Sequence, residues 1–266
     1  MKITFIGAGN MAEALVAGIL KKNIVGAEDI IVADISEKRL EHMRSSYNVV
    51  AMKDNGMAVE YADVVILAVK PQIFKELWAS LQAQVPKDTL VISVMAGISS
   101  QHIAQDTSMR IIRVMPNTPA LIGEGASGIA LGEHATEDDL NIASDIMKSC
   151  GIVMQVKEEL LHAVTALSGS GPAYIFYFIE AMLHTSQSQG LSEQDARELA
   201  LATVRGAAAL ASEKSESIES LRDRVTSKGG TTAAAIAALG KHNLKEAVQS
   251  AMIAAETRSK EIEADI

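Results

Sequence analysis

The sequence predicts an α/β protein, with a doubly wound parallel sheet domain over residues 1–157 and an all-α domain over residues 158–266. Three observations predict it. Short apolar strands alternate with helical segments through the first part of the chain, the pattern of a sheet covered by helices on both faces. After residue 157 the strands vanish and every segment reads as helix. A glycine fingerprint, Gly7-x-Gly9-x-x-Ala12, stands between the first strand and the first helix, the context of a Rossmann-type nucleotide-binding turn.

Ile3 to Ile6 forms the first strand, and a helical pattern runs from the glycine turn through Leu20. Ile30-Ile31-Val32-Ala33-Asp34 is a second strand ending in an acid, followed by a charged helix over Ser36 to Ser45 and a short strand at Val49-Val50. Ala62 to Val69 is apolar throughout, as in a strand buried on both faces of a parallel sheet, and stops at Lys70-Pro71. Leu90 to Val94, Arg110 to Met115, Ser127 to Leu131 and Ile152 to Val156 complete the strands. Helices follow near 158–167, 171–189, 192–213, 217–226, 231–239 and 243–264.

Composition narrows the function. Hydrophobic residues make up 48% but aromatics only 3%, so the core rests on small and branched aliphatics with twelve Met, and helices rich in Ala can approach closely. A net charge of −9 argues against a nucleic-acid surface, which needs clustered Lys and Arg. One cysteine, Cys150, excludes a disulfide framework or a CxxC pair and reads as a small core residue. His42, His102, His134, His162, His184 and His242 show no metal spacing, and neither a GxSxG elbow nor a P-loop occurs, so no metal is expected. No apolar run reaches a membrane span, and Met1 to Ile6 enters a strand without room for a signal peptide, which predicts a cytoplasmic protein without membrane contact. A helical half this apolar, with no sheet of its own, predicts self-association.

In the fingerprint, Gly7 permits the tight turn and Gly9 lets backbone approach a pyrophosphate. Ala12 allows close packing of helix on strand, and Ala8, Asn10 and Met11 lie at the helix N-terminus that faces the phosphates. Asp34, 22 residues beyond Ala12, can accept the ribose hydroxyls of NAD and repel the extra phosphate of NADP. Ser36, Lys38 and Arg39 follow and could receive that phosphate, although a solvated helix face is the plainer reading of the two bases. Ligands in such sheets bind beyond the carboxyl ends of the strands, which nominates Ala68-Val69-Lys70-Pro71, Met95-Ala96-Gly97 and Asn117-Thr118. Near the C-terminus, Val225-Thr226-Ser227-Lys228-Gly229-Gly230-Thr231-Thr232 gathers four hydroxyls and two glycines directly before an Ala-rich helix, suited to a compact anion or to an ordinary polar loop.

Five segments, IGAGNMAEAL, ILAVKPQ, RVMPNTPA, ALSGSGPAY and VTSKGGTTAA, occur in order over nearly the whole chain, and together they resemble pyrroline-5-carboxylate reductase. The resemblance implies hydride transfer from NADPH or NADH to a cyclic C=N bond, giving L-proline. It also implies a homodimer, or a ring of dimers, whose helical domains interlock to build each active site. By its motifs Thr232 is the hydroxyl at the ring nitrogen. Ser227, Gly229, Gly230 and Thr231 hold the substrate carboxylate, Glu158 is an acid near substrate and cofactor, and Asn55 contacts the adenosine side. For Glu158 a helix-dipole acid is the bland alternative; for Ser168 and Ser170, beside Gly171-Pro172, packing or capping is. Two positions depart from the family pattern: Lys228 stands where proline is common, and Asp34-Ile35 replaces groups suited to the NADP phosphate. The alternatives are a β-hydroxyacid dehydrogenase, a reductase of another cyclic imino acid, and a cofactor-binding sensor without catalysis.

Overall fold

The computed structural model describes residues 1–105 and 107–265, so the last residue of the expected second domain, Ile266, lies outside it. The chain divides into two compact units, one of Met1–Pro172 with the stretch from Ala254 onward, the other of Ala173–Ile253. The segment 158–172 and the final helical turns thus cluster with the sheet rather than with the helical half.

The first unit alternates strand and helix as β1 (Ile3–Ile6), α1 (Asn10–Lys21), β2 (Ile30–Ala33), α2 (Glu37–Tyr47), β3 (Val50–Met52), α3 (Asn55–Val59), β4 (Val64–Leu67), α4 (Pro71–Leu81), β5 (Leu90–Ser93), α5 (Ser100–Ala104), β6 (Arg110–Met115), β7 (Gly125–Leu131), α6 (Glu137–Lys148) and β8 (Gly151–Gln155). The eight strands form one sheet in the order β3-β2-β1-β4-β5-β6-β7-β8. The order reverses between β1 and β4, the switch point where such sheets hold their ligands.

β1 to β6 are parallel, but β7 runs antiparallel to β6, and β8 parallel to β7. The doubly wound parallel sheet expected from the sequence is present, with its last two strands running the other way, and the reason is the connection. Between Met115 and Gly125 lies only a 3₁₀ turn, Thr118–Ile122, too short for a crossover, so the chain folds straight back. The twelve-residue α6 then supplies a true crossover to β8.

Side chains alternate across the sheet into two cores. Phe5, Ile66 and Ile92 pack with Leu15 and Ile19 of α1 and Ile146 of α6. Leu67 and Val91 face the other way, onto Phe74 and Trp78 of α4 and Ile103 of α5. Trp78 stacks on Phe74 and donates its indole N–H to the Ile103 carbonyl at 2.7 Å, so this polar atom is satisfied in an apolar core. α1 lies close under the β8 end of the sheet: a Cβ on Gly18 would stand 2.4 Å from Cys150 Sγ.

The single helix expected near 158–167 is three pieces. A 3₁₀ turn, Glu158–Leu160, leads into α7 (Leu161–Val164), then a π-helical turn, Thr165–Gly169, before α8 (Gly171–Ser188). The π turn is closed by Ser170 N–H on the Thr165 carbonyl at 2.8 Å. Such turns store an extra residue in a helix and concentrate at functional sites.

The second unit is carried by α8, α9 (Glu193–Glu213), α10 (Ile218–Arg224), α11 (Thr231–Lys241) and the first part of α12 (Leu244–Ala264). Its helices bury almost nothing within the chain: Ile179, Ala196 and Ala200 are its buried apolar residues, while Phe176 is 65% and Tyr177 77% exposed. Among the described residues, no helix is long and apolar enough to cross a membrane.

Candidate active site

The glycine turn is shaped by backbone demands. Gly7 has φ +103°, and a Cβ there would meet the Ala68 carbonyl oxygen at 2.6 Å, so no side chain fits. Nothing lies within 4 Å of where a Cβ on Gly9 would stand. Gly9 is also the N-cap of α1 and no side chain caps it, so the first N–H groups of α1 and an open approach coincide there. Asn10 is exposed and Met11 half-buried at this helix start, while Ala8 and Ala12 are fully buried. The residues present therefore fit the pyrophosphate of a dinucleotide.

Asp34 is tied into the glycine turn. Its Oδ2 accepts the Ala8 N–H at 2.7 Å and its Oδ1 the Ser36 N–H at 2.8 Å, joining the end of β2 to the glycine turn. Each oxygen keeps a lone pair for a further donor. Arg39 departs from the solvated face expected of it: Nε donates to the Ala8 carbonyl at 2.6 Å, and NH2 to Glu13 at 2.6 Å. His42 and Tyr47 also reach Glu13, at 2.6 and 3.0 Å. Burial pushes the Glu13 carboxyl up, but the hydrogen bonds from His42, Arg39 and Tyr47 outweigh it and hold the group at about 2. Lys38 is exposed, as expected.

The other strand ends are arranged around the switch point. Ala68 donates its N–H to the Ile6 carbonyl, and Ala68 and Val69 are half-buried against Gly7. Lys70 is exposed as the N-cap of α4, with Pro71 at the first helical position. Met95 is buried, Ala96 half-buried, and Gly97 takes φ +69° with its α-carbon against α12, where a Cβ would stand 2.7 Å from Ile262 Cγ2. Asn55 opens α3 behind its N-cap Asp54, beyond the end of β3.

Asn117 is 8% exposed and ties two of the sequence motifs together. Its Nδ2 donates to the Ser168 carbonyl at 3.0 Å, in the π turn, and its Oδ1 accepts from Ala126. A Cβ on Gly169 would stand 2.5 Å from Met115 Cε, so RVMPNTPA and ALSGSGPAY pack through Asn117 and this glycine. Ser168 Oγ donates to the Val164 carbonyl and caps its own turn.

Glu158 commits both oxygens inside the protein. Oε1 accepts the Ser100 N–H and Oε2 the Ser100 hydroxyl, each at 2.6 Å, and Arg113 NH1 lies 3.3 Å from Oε1. It does serve a helix N-terminus, but that of α5 rather than its own. Arg113 and Ser100 were missed by the sequence reading; the visible signal was an arginine inside the apolar strand IIRVM. These three groups, with His162 and Glu263, line a cleft of about 900 Å³ that holds none of the fingerprint or strand-end residues. Among the described residues there is no cluster of three or more metal-ligating side chains.

In the second unit, Thr226 Oγ donates to the Arg222 carbonyl and Gly230 N–H to the Ser227 carbonyl at 3.0 Å, folding the loop back on itself. Gly229 takes φ +74°, and a Cβ on Gly230 would stand 2.4 Å from Ser227 Oγ. Gly230 is the N-cap of α11 with no capping side chain, so that helix also begins with open N–H groups. Ser227, Lys228, Gly229 and Thr231 are exposed and Thr232 half-buried.

Two family models match the chain. A family model described as pyrroline-5-carboxylate reductase dimerisation matches residues 158–262, and one described as NADP oxidoreductase, coenzyme F420-dependent, matches residues 2–97. The chain is 41% identical over 263 residues to a pyrroline-5-carboxylate reductase of Methanosarcina acetivorans, covering 98% of this chain and 97% of that protein. It is also 41% identical over 265 residues to that of Haemophilus influenzae, covering 98% and 97%. A solved pyrroline-5-carboxylate reductase from Coxiella burnetii superposes with a TM-score of 0.90 at 38% identity, over 98% of each chain. A Plasmodium falciparum pyrroline carboxylate reductase with NADP bound gives 0.90 at 30% identity, over 99% and 98%.

Proposed function

This chain belongs to the pyrroline-5-carboxylate reductase family, an NAD(P)H-dependent oxidoreductase family that makes L-proline from L-1-pyrroline-5-carboxylate, and from that premise we propose how its residues divide the work. The reduced nicotinamide supplies the hydride. Gly7, Ala8, Gly9, Asn10 and Met11 hold the pyrophosphate at the start of α1. Asp34, Ser36 and Asn55 face the adenosine half, and the ends of β4 and β5, Ala68 to Pro71 and Met95 to Gly97, face the nicotinamide half.

The imino acid is held by the loop before α11. A carboxylate is matched by the uncapped N–H groups of that helix, by Ser227 and by the backbone at Gly229, Gly230 and Thr231. Thr232 stands in the first turn, where its hydroxyl can bond the ring nitrogen as hydride reaches the adjacent carbon. The imine nitrogen is protonated by solvent, so the enzyme's task is orientation and preorganised hydrogen bonding rather than strong acid–base chemistry. Lys228, at the loop's exposed crest, adds positive charge on the approach of an anion.

The single observation that carries this reading is the pair of uncapped helix starts, each preceded by a glycine at positive φ, Gly7 and Gly229, where a side chain would be strained. The dimerisation domain supports self-association. The finer proposal is a homodimer or ring of dimers in which a second chain completes each site, in the cytoplasm and without nucleic-acid partners. Thr232→Ala lowers turnover at least about tenfold, or about 1.4 kcal/mol of barrier, with NADPH affinity intact. Ser227→Ala raises KM for the imino acid more than it lowers kcat. Steady-state kinetics decide: unchanged turnover in Thr232→Ala removes that hydroxyl from the chemistry.

A further inference from the structure

Arg113 is a charged side chain in the middle of a sheet strand, 5% exposed, with fully buried Ile112 and nearly buried Val114 on either side. Burying a guanidinium is costly unless a partner meets it, and a hydrophobic residue of similar volume would pack there without that cost. Its partner is Glu158 at 3.3 Å, whose other bonds go to the backbone N–H and hydroxyl of Ser100, at 2.6 Å each. Ser100 begins α5, and the five residues before it are Met95-Ala96-Gly97-Ile98-Ser99, the segment that leaves the end of β5. Ile98 is fully buried, and Gly97 is pressed on Ile262. The segment is thus fixed in its middle by packing and at its far end by Glu158.

We propose that Glu158, held by Arg113, is a positioning residue: it clamps Ser100 and so sets the Met95-Ala96-Gly97 loop against which the nicotinamide half of the cofactor lies. This rests on the assignment of that loop to the cofactor. It gives Glu158 a function on the cofactor side, through Ser100, in place of direct contact with the imino acid. A substrate carboxylate beside the Glu158 carboxylate would be repelled, whereas Ser100 meets it with an N–H and a hydroxyl. Reactive geometry tolerates small displacements poorly, so loosening one anchor of a cofactor loop is felt in both binding and turnover.

The test is direct titration of the full-length protein with NADPH, followed by nicotinamide fluorescence, beside steady-state kinetics. Glu158→Ala and Arg113→Met each raise the NADPH dissociation constant at least about fivefold and lower kcat, while KM for pyrroline-5-carboxylate stays within about twofold. Glu158→Gln, which keeps the shape and one acceptor, falls between wild type and Glu158→Ala. The double variant Arg113→Met with Glu158→Gln loses less than the sum of the two single effects, since both act through one clamp. If Arg113→Met fails to fold, Ser100→Ala decides, with a smaller rise in the same constant. An unchanged NADPH constant, or a rise confined to KM for the imino acid, overturns the clamp. The titration needs no turnover, so a wild type that binds NADPH but leaves pyrroline-5-carboxylate unreduced sinks the functional reading and leaves the clamp to be judged on binding alone.

Discussion

Three donors converge on the Glu13 carboxylate, and two of them, Arg39 and His42, come from 26 and 29 residues away in sequence. Arg39 also holds the Ala8 carbonyl, so the cluster stiffens the glycine turn from behind. With its folded value near 2 and an unfolded value of 4.5, Glu13 contributes stability that is complete above the unfolded value and lost as pH falls through the folded one. Discounted for solvent screening, that is about 1–2 kcal/mol at neutral pH. Glu13→Gln is expected to lose most of this at pH 7, with the gap to wild type narrowing from about pH 5 toward 2. Urea unfolding across that range checks it, and a gap independent of pH would contradict the assignment. Asp34 holds two backbone N–H groups with its two oxygens and is proposed to face the adenosine side of the cofactor. Asp34→Ser is therefore expected to raise NADPH use relative to NADH, and a ratio that does not move removes Asp34 from cofactor choice. The glycines and Asp34 were legible because their spacing is dictated by backbone geometry. Glu13, Arg39 and Arg113 were not, because a charge on a helix or strand reads as solvated until its distant partner is known.

α6 shows what an element needs beyond periodicity. Thr136 and Asp139 form a reciprocal capping box at its start, and Asp139, 1% exposed in its side chain, also receives Arg110 at 2.6 Å from the first residue of β6. One carboxylate thus begins a helix and anchors a strand. Asp139→Ala removes the cap and the guanidinium's carboxylate partner, leaving Arg110 only the Asp88 carbonyl, a loss of about 2 kcal/mol. Thermal melting reads this directly, and a melting point equal to wild type would mean the ion pair and cap contribute nothing. The strands and long helices were legible from the sequence because period and apolar length report them. The reversal of β7 was not, since it depends on the brevity of the 116–124 connection. The π turn at Thr165–Gly169 was also hidden: a π turn keeps helical composition, and only the Asn117 and Met115 contacts give it a reason to form.

At the scale of the molecule, the two halves bury apolar surface in different ways. The sheet unit closes its own cores on both faces, whereas the helices from Ala173 to Ile253 leave large side chains such as Phe176, Leu199 and Val248 open to solvent. Apolar surface of that extent marks an interaction site, and the dimerisation domain that matches this region accounts for it. Self-association was legible in the sequence from the same imbalance, an apolar helical stretch with no sheet to cover it. The loop before α11, proposed to hold the substrate, was legible as a motif but not as a geometry, because its hydroxyls and glycines stand beside an uncapped helix start that only the structure shows. The central claim is that this fold reduces pyrroline-5-carboxylate with a reduced nicotinamide. The most direct measurement mixes the purified protein with pyrroline-5-carboxylate and follows loss of nicotinamide absorbance, with NADPH and NADH in parallel and proline identified as product. Rapid oxidation with proline formed in equal amount is the predicted result. Folded protein that binds the cofactor and oxidises neither form would contradict it.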